Sequence, residues 1–230
     1  MRKMYLSAPL PFVGQKRMFA KEFMKVLEQY PDGTLFVDLF GGSGLLSHIT
    51  KSLKPHSTVI YNDFDNYRFR MKHIPQTNQL LADIREMVGN SVPRHKIIKG
   101  ELRERIFSRI EQEENTTGYV DFITLSSSIL FSMKYKLSVQ DMRKEALYNN
   151  IRKTGYPECT DYLDVLNVLK GHSYVYFTSN KSSILELCEW IGKNRDLGNP
   201  FENCTKVEFN AHMNYNSSYT DMMLYKKEAA

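Results

Sequence analysis

The sequence predicts an α/β fold with a parallel sheet, accompanied by a mainly helical middle segment. The apolar run 34–40 has the pattern of a buried strand and leads directly into Gly-Gly-Ser-Gly. A helical stretch at 45–53 and a second strand-like run at 57–64 follow. Together they form a β-α-β unit of about thirty residues, which implies parallel strands with helices on their faces.

The composition is that of a folded protein, since 42% of the residues are hydrophobic and 12% aromatic, enough to form a core. A length of 230 residues suits one domain with an insertion, or one large and one small domain. No apolar run approaches the ~18 residues that would span a bilayer, and the N-terminus lacks a signal-peptide pattern. We therefore expect a cytoplasmic protein. The three cysteines are widely spaced and predict neither a disulfide framework nor a metal site.

Positive charge is concentrated in two parts of the chain. Residues 1–25 carry 6 basic and 1 acidic side chains, and residues 91–157 carry 12 basic and 8 acidic ones. The net charge of the whole chain is +5. This distribution is compatible with a polyanionic partner and equally with an ordinary solvated surface.

Further elements follow from periodicity. Helices are expected at 16–29, 76–89, 96–114, much of 120–152, 160–170 and 181–193. Thr160 or Asp161 is the expected N-cap of the helix 160–170, and Ser126–Ser128 could be a loop or a helix start. A strand is expected at 173–179, and two closing strands, 206–213 and 221–227, could pair as a hairpin.

The glycine-rich turn is the sharpest local feature. Glycines let a backbone approach a ligand closely, and the helix start beyond them offers unpaired N–H groups. The turn alone could bind phosphate, a dinucleotide or nothing, and its spacing is not that of a dinucleotide site. Asp63 ends the next strand, where a carboxylate can accept hydrogen bonds from both ribose hydroxyls of an adenosine or else cap a helix. Phe64 could lie on the adenine, and we expect Asp65 to be a cap or a surface group.

The order of motifs resembles one enzyme family. Pro-Phe-x-Gly-x-Lys at 11–16, a strand with Asp-x-Phe-x-Gly-x-Gly at 38–44, and a strand ending Asn-Asp at 62–63 are similar to the D12 class of DNA adenine-N6 methyltransferases, the Dam-like group. The runs 174–180, ending in Ser-Asn, and 220–224 look like two later strands of that family.

The resemblance implies a fold and a site. The fold is a Rossmann-like, S-adenosylmethionine-dependent methyltransferase sheet built from residues 1–90 and 158–230, with 91–157 inserted as a helical target-recognition region. The partner is double-stranded DNA, in a setting such as restriction and modification, with neither a metal nor a membrane involved. The implied cofactor contacts are Phe12, Lys16, Asp38, Phe40, Gly41, Gly42, Gly44, Asp63 and Phe64.

One family motif is missing. The catalytic Asp-Pro-Pro-Tyr of the family requires adjacent prolines, and none of the eight prolines here adjoins another. Asn199-Pro200-Phe201 is a fragment that falls after the Ser-Asn strand instead of before it. Without the acidic group and the aromatic ring, the target amine of a flipped adenine lacks its acceptor and its stacking partner. We therefore assign no catalytic residue.

Three explanations for the missing motif stay open: a genuine deletion, an unlisted stretch of chain, or another segment that fills the same position. Two main functions follow, a DNA adenine-N6 methyltransferase or a non-catalytic cofactor- or DNA-binding module with a methyltransferase fold. A methyltransferase of another substrate class, such as RNA, is a weaker third.

Overall fold

A small parallel sheet lies at the centre of the fold. The computed structural model describes residues 3–12, 14, 16–38, 40–63, 65–132, 134–172, 205–214 and 217–225. Strands β1 (Leu35–Asp38), β2 (Thr58–Asn62) and β5 (Lys170–His172) are parallel, with β2 in the middle. The predicted α/β class and the parallel β-α-β unit are thereby confirmed.

Most of the remaining described secondary structure is helical. A 3-10 turn spans Lys16–Met18, and the α-helices are α1 (Ala20–Glu28), α2 (Leu45–Leu53), α3 (Tyr67–Lys72), α4 (Ile74–Val88), α5 (Gly100–Thr117), α6 (Phe122–Ile129), α7 (Val139–Arg143) and α8 (Thr160–Asn167). Two antiparallel pairs complete the described elements: β3 (Ile97–Ile98) with β4 (Leu147–Tyr148), and β6 (Thr205–Asn214) with β7 (Ser217–Tyr225). The expected closing hairpin is confirmed as β6 and β7. None of the described helices combines the length and apolar character that crossing a bilayer requires.

The middle segment is less helical than its pattern predicts. The expected helix 96–114 begins only at Gly100, because residues 97–98 pair with β4. Gly100 itself has a φ of +61°, which departs from helical geometry. The expected helical stretch 120–152 is two short helices separated by a loop. Ser126–Ser128 lie inside α6, which is capped by Asp121 accepting a hydrogen bond from the Thr124 N–H (3.0 Å).

The predicted cap of α8 is wrong. Cys159 occupies the N-cap position with a φ of +45° and makes no side-chain cap hydrogen bond. Asp161 is engaged elsewhere, since it accepts a hydrogen bond from the Tyr5 hydroxyl at 2.6 Å. The chain passes from Pro157 almost directly into this helix, as the sequence indicates. The strand expected at 173–179, the helix expected at 181–193 and the Asn199-Pro200-Phe201 fragment lie outside the described residues.

His48 on α2 is a buried group that titrates. Its ring stacks on Tyr162 with centroids 4.5 Å apart, and its Nε2 accepts a hydrogen bond from the Tyr5 N–H (3.2 Å). Burial lowers the pKa of His48 to about 4, although the charge of Asp161 acts in the opposite direction. The folded state therefore holds this imidazole neutral at pH values where an unfolded histidine is partly protonated.

The free energy of unfolding should fall in acid because of His48. Between pH 6.5 and about 4 the unfolded state binds the extra proton, so this contribution is complete above pH 6.5 and is lost as the pH falls toward 4. The expected loss is about 3 kcal/mol. Urea unfolding across this range should show a steeper loss in the natural sequence than in His48→Gln. His56→Gln is the control, because the His56 side chain is 84% exposed; equal pH slopes for His48→Gln and the natural sequence would contradict the prediction.

Candidate functional site

The glycine-rich turn joins the end of β1 to the start of α2. The Gly44 N–H donates to the Gly41 carbonyl at 2.7 Å, which closes the turn. Gly42 and Gly44 have φ values of +49° and +71°, in the left-handed region that glycine adopts without strain. Gly44 is also the residue that precedes the first turn of α2. The turn thus ends with the free N–H groups of a helix start close to the end of a strand.

Gly41 and Gly42 are required by their neighbours. A Cβ at Gly41 would lie 2.3 Å from the ring of Tyr61 and 2.9 Å from the Asn62 carbonyl oxygen. A Cβ at Gly42 would lie 2.7 Å from the ring of Phe12. The turn is therefore packed between a ring of the second strand and a ring of the N-terminal loop, and a side chain at either position would displace one of them.

Two buried tyrosines hold the turn from the core side. The Tyr61 hydroxyl donates to the Gly42 carbonyl at 2.7 Å, and the Tyr162 hydroxyl donates to the Ser43 carbonyl at 2.9 Å. Both side chains are fully buried. Burial raises the pKa of each hydroxyl above its ordinary value, so both remain protonated donors. Neither tyrosine was predicted from the sequence as a site residue.

An open cavity of about 170 Å³ lies above the turn. It brings together five of the predicted cofactor contacts: Phe12, Lys16, Phe40, Gly41 and Gly42. It also contains three residues that were not predicted as contacts: Gly14, Ser43 and Asp65. The N-terminal loop, the glycine turn and the chain after β2 therefore meet at one place, as the order of motifs indicated.

Asp38 is a predicted cofactor contact that does not line this cavity. It ends β1 and accepts a hydrogen bond from the Ser47 hydroxyl at 2.6 Å, which fastens the strand to the first turns of α2. Burial raises the pKa of Asp38, while the Ser47 hydrogen bond and the positive charge of Lys16 lower it in part. The Asp38 carboxylate therefore interacts electrostatically with Lys16 while it is hydrogen-bonded to Ser47 of α2. Gly44 is likewise absent from the cavity lining, and both remain predicted cofactor contacts.

The Asp63 carboxylate is held by its own chain. One oxygen accepts from the Tyr67 N–H (2.6 Å) and lies 3.1 Å from the Tyr61 hydroxyl. The other accepts from the Arg68 N–H (3.2 Å) and Nε (3.0 Å). Asp63 is 5% exposed, and it satisfies the start of α3 in the way a capping carboxylate does. Its predicted contact with a ribose stays a prediction, and Phe64 lies outside the described residues.

Asp65 is the carboxylate that lines the cavity. We expected a cap or a surface group; the side chain is exposed, and it does not cap α3, whose N-cap residue is Asn66. Loss of solvent raises the pKa of Asp65, the charge of Asp63 raises it further, and Arg70 opposes both. Asp65 and Lys16 place one negative and one positive group at the same cavity.

No protein-family model matches the chain. Over 194 residues the chain is 38% identical to a Haemophilus influenzae protein named "Putative methyltransferase". The similar region covers 82% of this chain and 64% of that protein, so the chain spans less than two thirds of its relative's length. The similarity supports a methyltransferase.

Proposed function

We propose that this chain binds S-adenosylmethionine in the cavity above the glycine turn. We further propose that it is a DNA adenine-N6 methyltransferase of the D12 class or a relative that has lost the catalytic motif. The observation that carries the proposal is the cavity itself, where the turn meets Phe12, Lys16 and Asp65. The similarity to a protein named as a methyltransferase supports the same reading.

The chemistry of the lining suits this cofactor. S-adenosylmethionine presents a carboxylate and an ammonium group at one end and an adenosine at the other. Lys16 can pair with the carboxylate, and Asp65 can accept from the ammonium group. Phe12 and Phe40 offer ring faces, and a glycine turn without side chains admits close approach of the ligand to the backbone. When bound, the cofactor supplies the activated methyl group.

The size of the cavity limits how much of the cofactor it holds. At about 170 Å³ it is smaller than the ~300 Å³ at the low end of small-molecule sites. We therefore assign the methionine end to the cavity, next to Lys16 and Asp65. The adenosine would extend toward Asp63, which directly follows β2 at the same edge of the sheet as the glycine turn. There a ribose would have to share the carboxylate with Arg68.

The larger architecture is part of the proposal. The parallel order of β1, β2 and β5 supports a Rossmann-like methyltransferase sheet formed by residues 1–90 and 158–230. The helices α5, α6 and α7 fall within 91–157, the region we propose as an inserted target-recognition unit for double-stranded DNA. Its excess of basic side chains suits the phosphate backbone, which dominates the affinity of such proteins.

A non-catalytic cofactor- or DNA-binding module is the second candidate. The observation that favours it is the short path from Tyr156 to α8, which leaves no room for an Asp-Pro-Pro-Tyr strand between the inserted region and this helix. Binding of the cofactor uses the turn and its neighbours, so it does not require that strand. The two candidates therefore agree on the cofactor and differ in turnover.

Replacement of Lys16 tests the cofactor assignment. Lys16→Ala should weaken S-adenosylmethionine binding by about 1–3 kcal/mol, because the ligand carboxylate loses a charge-assisted partner. Isothermal titration calorimetry measures the effect. Lys21→Ala is the matched control, since Lys21 is an exposed lysine of α1 that does not line the cavity. An unchanged affinity for Lys16→Ala, or an equal loss in both variants, would remove Lys16 from the site.

A further inference from the structure

A buried ion pair joins the cofactor side of the molecule to the inserted region. Arg70 lies on α3, and its Nε is 3.1 Å from each carboxylate oxygen of Asp121, which caps α6. The two residues are 5% and 4% exposed. A buried pair of this kind is seldom a net source of stability, because both charges lose their hydration. Its presence between two parts of the chain points to a positioning role.

The same guanidinium holds the N-terminal loop. Its Nη2 donates to the Pro11 carbonyl at 2.8 Å and also lies 3.2 Å from the Thr124 hydroxyl. Thr124 in turn donates to Asp121 at 2.8 Å. One side chain thus contacts the residue before Phe12 and the first turn of α6 at once. A lysine in this place would offer its three N–H groups from one nitrogen, whereas the arginine reaches these partners from Nε and Nη2 in one fixed plane.

From Pro11 the contacts continue to the cavity. The Phe12 ring packs edge-on against Tyr67, with centroids 5.8 Å apart, and it is the ring that approaches Gly42. The Tyr67 hydroxyl accepts from the Leu10 N–H at 3.0 Å. Arg70 and Tyr67 lie one turn apart on α3, so this helix fixes the loop on both sides of Pro11.

From Asp121 the contacts continue along α6 to a second cavity. The Ser128 hydroxyl donates to the Thr124 carbonyl at 2.9 Å, one turn further along the helix. Ser126 and Ser127, on the same turn, line a cavity of about 130 Å³ that also contains Tyr135 and Asn150. Burial raises the pKa of both Asp65 at the first cavity and Tyr135 at the second, and the positive charge of Arg70 opposes this shift in each.

We propose that Arg70 and Asp121 form a positioning pair that holds the loop 10–12 over the glycine turn and makes its position depend on α6. Only the cofactor-binding experiment described below depends on the proposed function; the hydrogen-exchange experiment does not. Loss of the pair frees the Pro11 carbonyl and lets Phe12 leave Gly42, so the cofactor cavity loosens while the parallel sheet stays folded. By reciprocity, anything that moves α6 changes affinity at the cofactor cavity, and cofactor binding acts back on α6.

Hydrogen exchange on the full chain tests the pair without any ligand. In Asp121→Asn the Leu10 amide, which donates to the Tyr67 hydroxyl at 3.0 Å, should exchange at least about fivefold faster, a factor at the lower end of coupling between sites. Asparagine remains a good helix cap, so α6 itself should keep its protection. The control is Asp83→Asn, which removes a different ion pair, with Arg109 (2.8 Å), between α4 and α5. Unchanged exchange in Asp121→Asn, or the same increase in Asp83→Asn, overturns the proposal.

Measurement of S-adenosylmethionine affinity distinguishes a failure of this proposal from a failure of the proposed function. If the natural sequence fails to bind S-adenosylmethionine, the proposed function falls, and the exchange experiment still decides the role of the pair. If it binds, Asp121→Asn should raise the Kd at least about fivefold with Asp83→Asn unchanged, and an unaltered Kd overturns the proposal. Should Asp121→Asn fail to fold, Arg70→Lys replaces it in both experiments. This variant keeps a cation beside Asp121 but loses the separate N–H donors of the guanidinium group.

Discussion

Protein of this sequence should bind S-adenosylmethionine and leave the adenines of DNA unmethylated. Adenine N6 is a poor nucleophile, and the family motif supplies an acceptor for its hydrogens and a ring that holds the flipped base. Each lost contribution of ~2–4 kcal/mol slows transfer by about one and a half to three decades. Transfer of a labelled methyl group to unmethylated DNA, at saturating cofactor, is the measurement.

The sheet gives a structural reason for this expectation. Among the described strands, β1 has β2 as its single neighbour, so no strand that carries an Asp-Pro-Pro-Tyr motif pairs with β1 in the part of the chain that the structure describes. The assay must use protein whose intact mass agrees with 26.9 kDa. Turnover typical of an intact enzyme would show that another segment supplies the acceptor, and Asn199-Pro200 is the first place to look.

Replacement of Asp63 should affect both stability and cofactor binding. Asp63→Ala leaves the Tyr67 and Arg68 N–H groups and the Arg68 guanidinium without their acceptor, and we expect a loss of about 2–4 kcal/mol in the free energy of unfolding. If the carboxylate also accepts from the ribose, S-adenosylmethionine binding weakens by a further ~1–3 kcal/mol. Urea unfolding and calorimetry measure the two effects separately.

Arg68→Gln is the control that separates these roles. It removes the ion pair with Asp63, whose N···O distance is 3.0 Å, and keeps the carboxylate at the end of β2. The Arg68 side chain is 29% exposed, so the loss of stability should be smaller than in Asp63→Ala. Cofactor affinity should be retained. An affinity that is unchanged in a folded Asp63→Ala would show that Asp63 is a structural cap and that the ribose is bound elsewhere.

Local patterns predicted the part of the fold that carries the turn. The apolar run before Gly41, the helix from Leu45 to Leu53 and the strand ending at Asn62 were all predicted, because burial pattern and glycine position act over a few residues. Five predicted contacts do meet at one cavity. Their assembly follows from a general rule, since the carboxyl ends of parallel strands and the helix starts beyond them share one edge of a sheet.

Long-range contacts decided the rest. The Tyr162 hydroxyl reaches Ser43 across 119 positions of sequence, and no local pattern distinguishes this tyrosine from any other buried ring. The start of the helix at Thr160 was predicted, but its cap was not, because Cys159 occupies the N-cap position and the Asp161 carboxylate bonds to the distant Tyr5. The sequence assigned Asp63 to the cofactor and Asp65 to a cap or the surface, and only the three-dimensional structure shows how they differ. Asp63 accepts three hydrogen bonds from Tyr67 and Arg68, whereas Asp65 lines the cavity.

The contact between Gly41 and Tyr61 means that the residue at either position constrains which residue the other can carry. A side chain at 41 cannot be accommodated while the Tyr61 ring stays in place, since the nearest ring carbons would be 2.3 Å away. A smaller residue at 61 would make that room, but it would also remove the hydroxyl that holds the Gly42 carbonyl. Either single substitution should therefore destabilise the turn. We therefore expect positions 41 and 61 to co-vary among relatives. A design that varies the turn would have to substitute both positions at once.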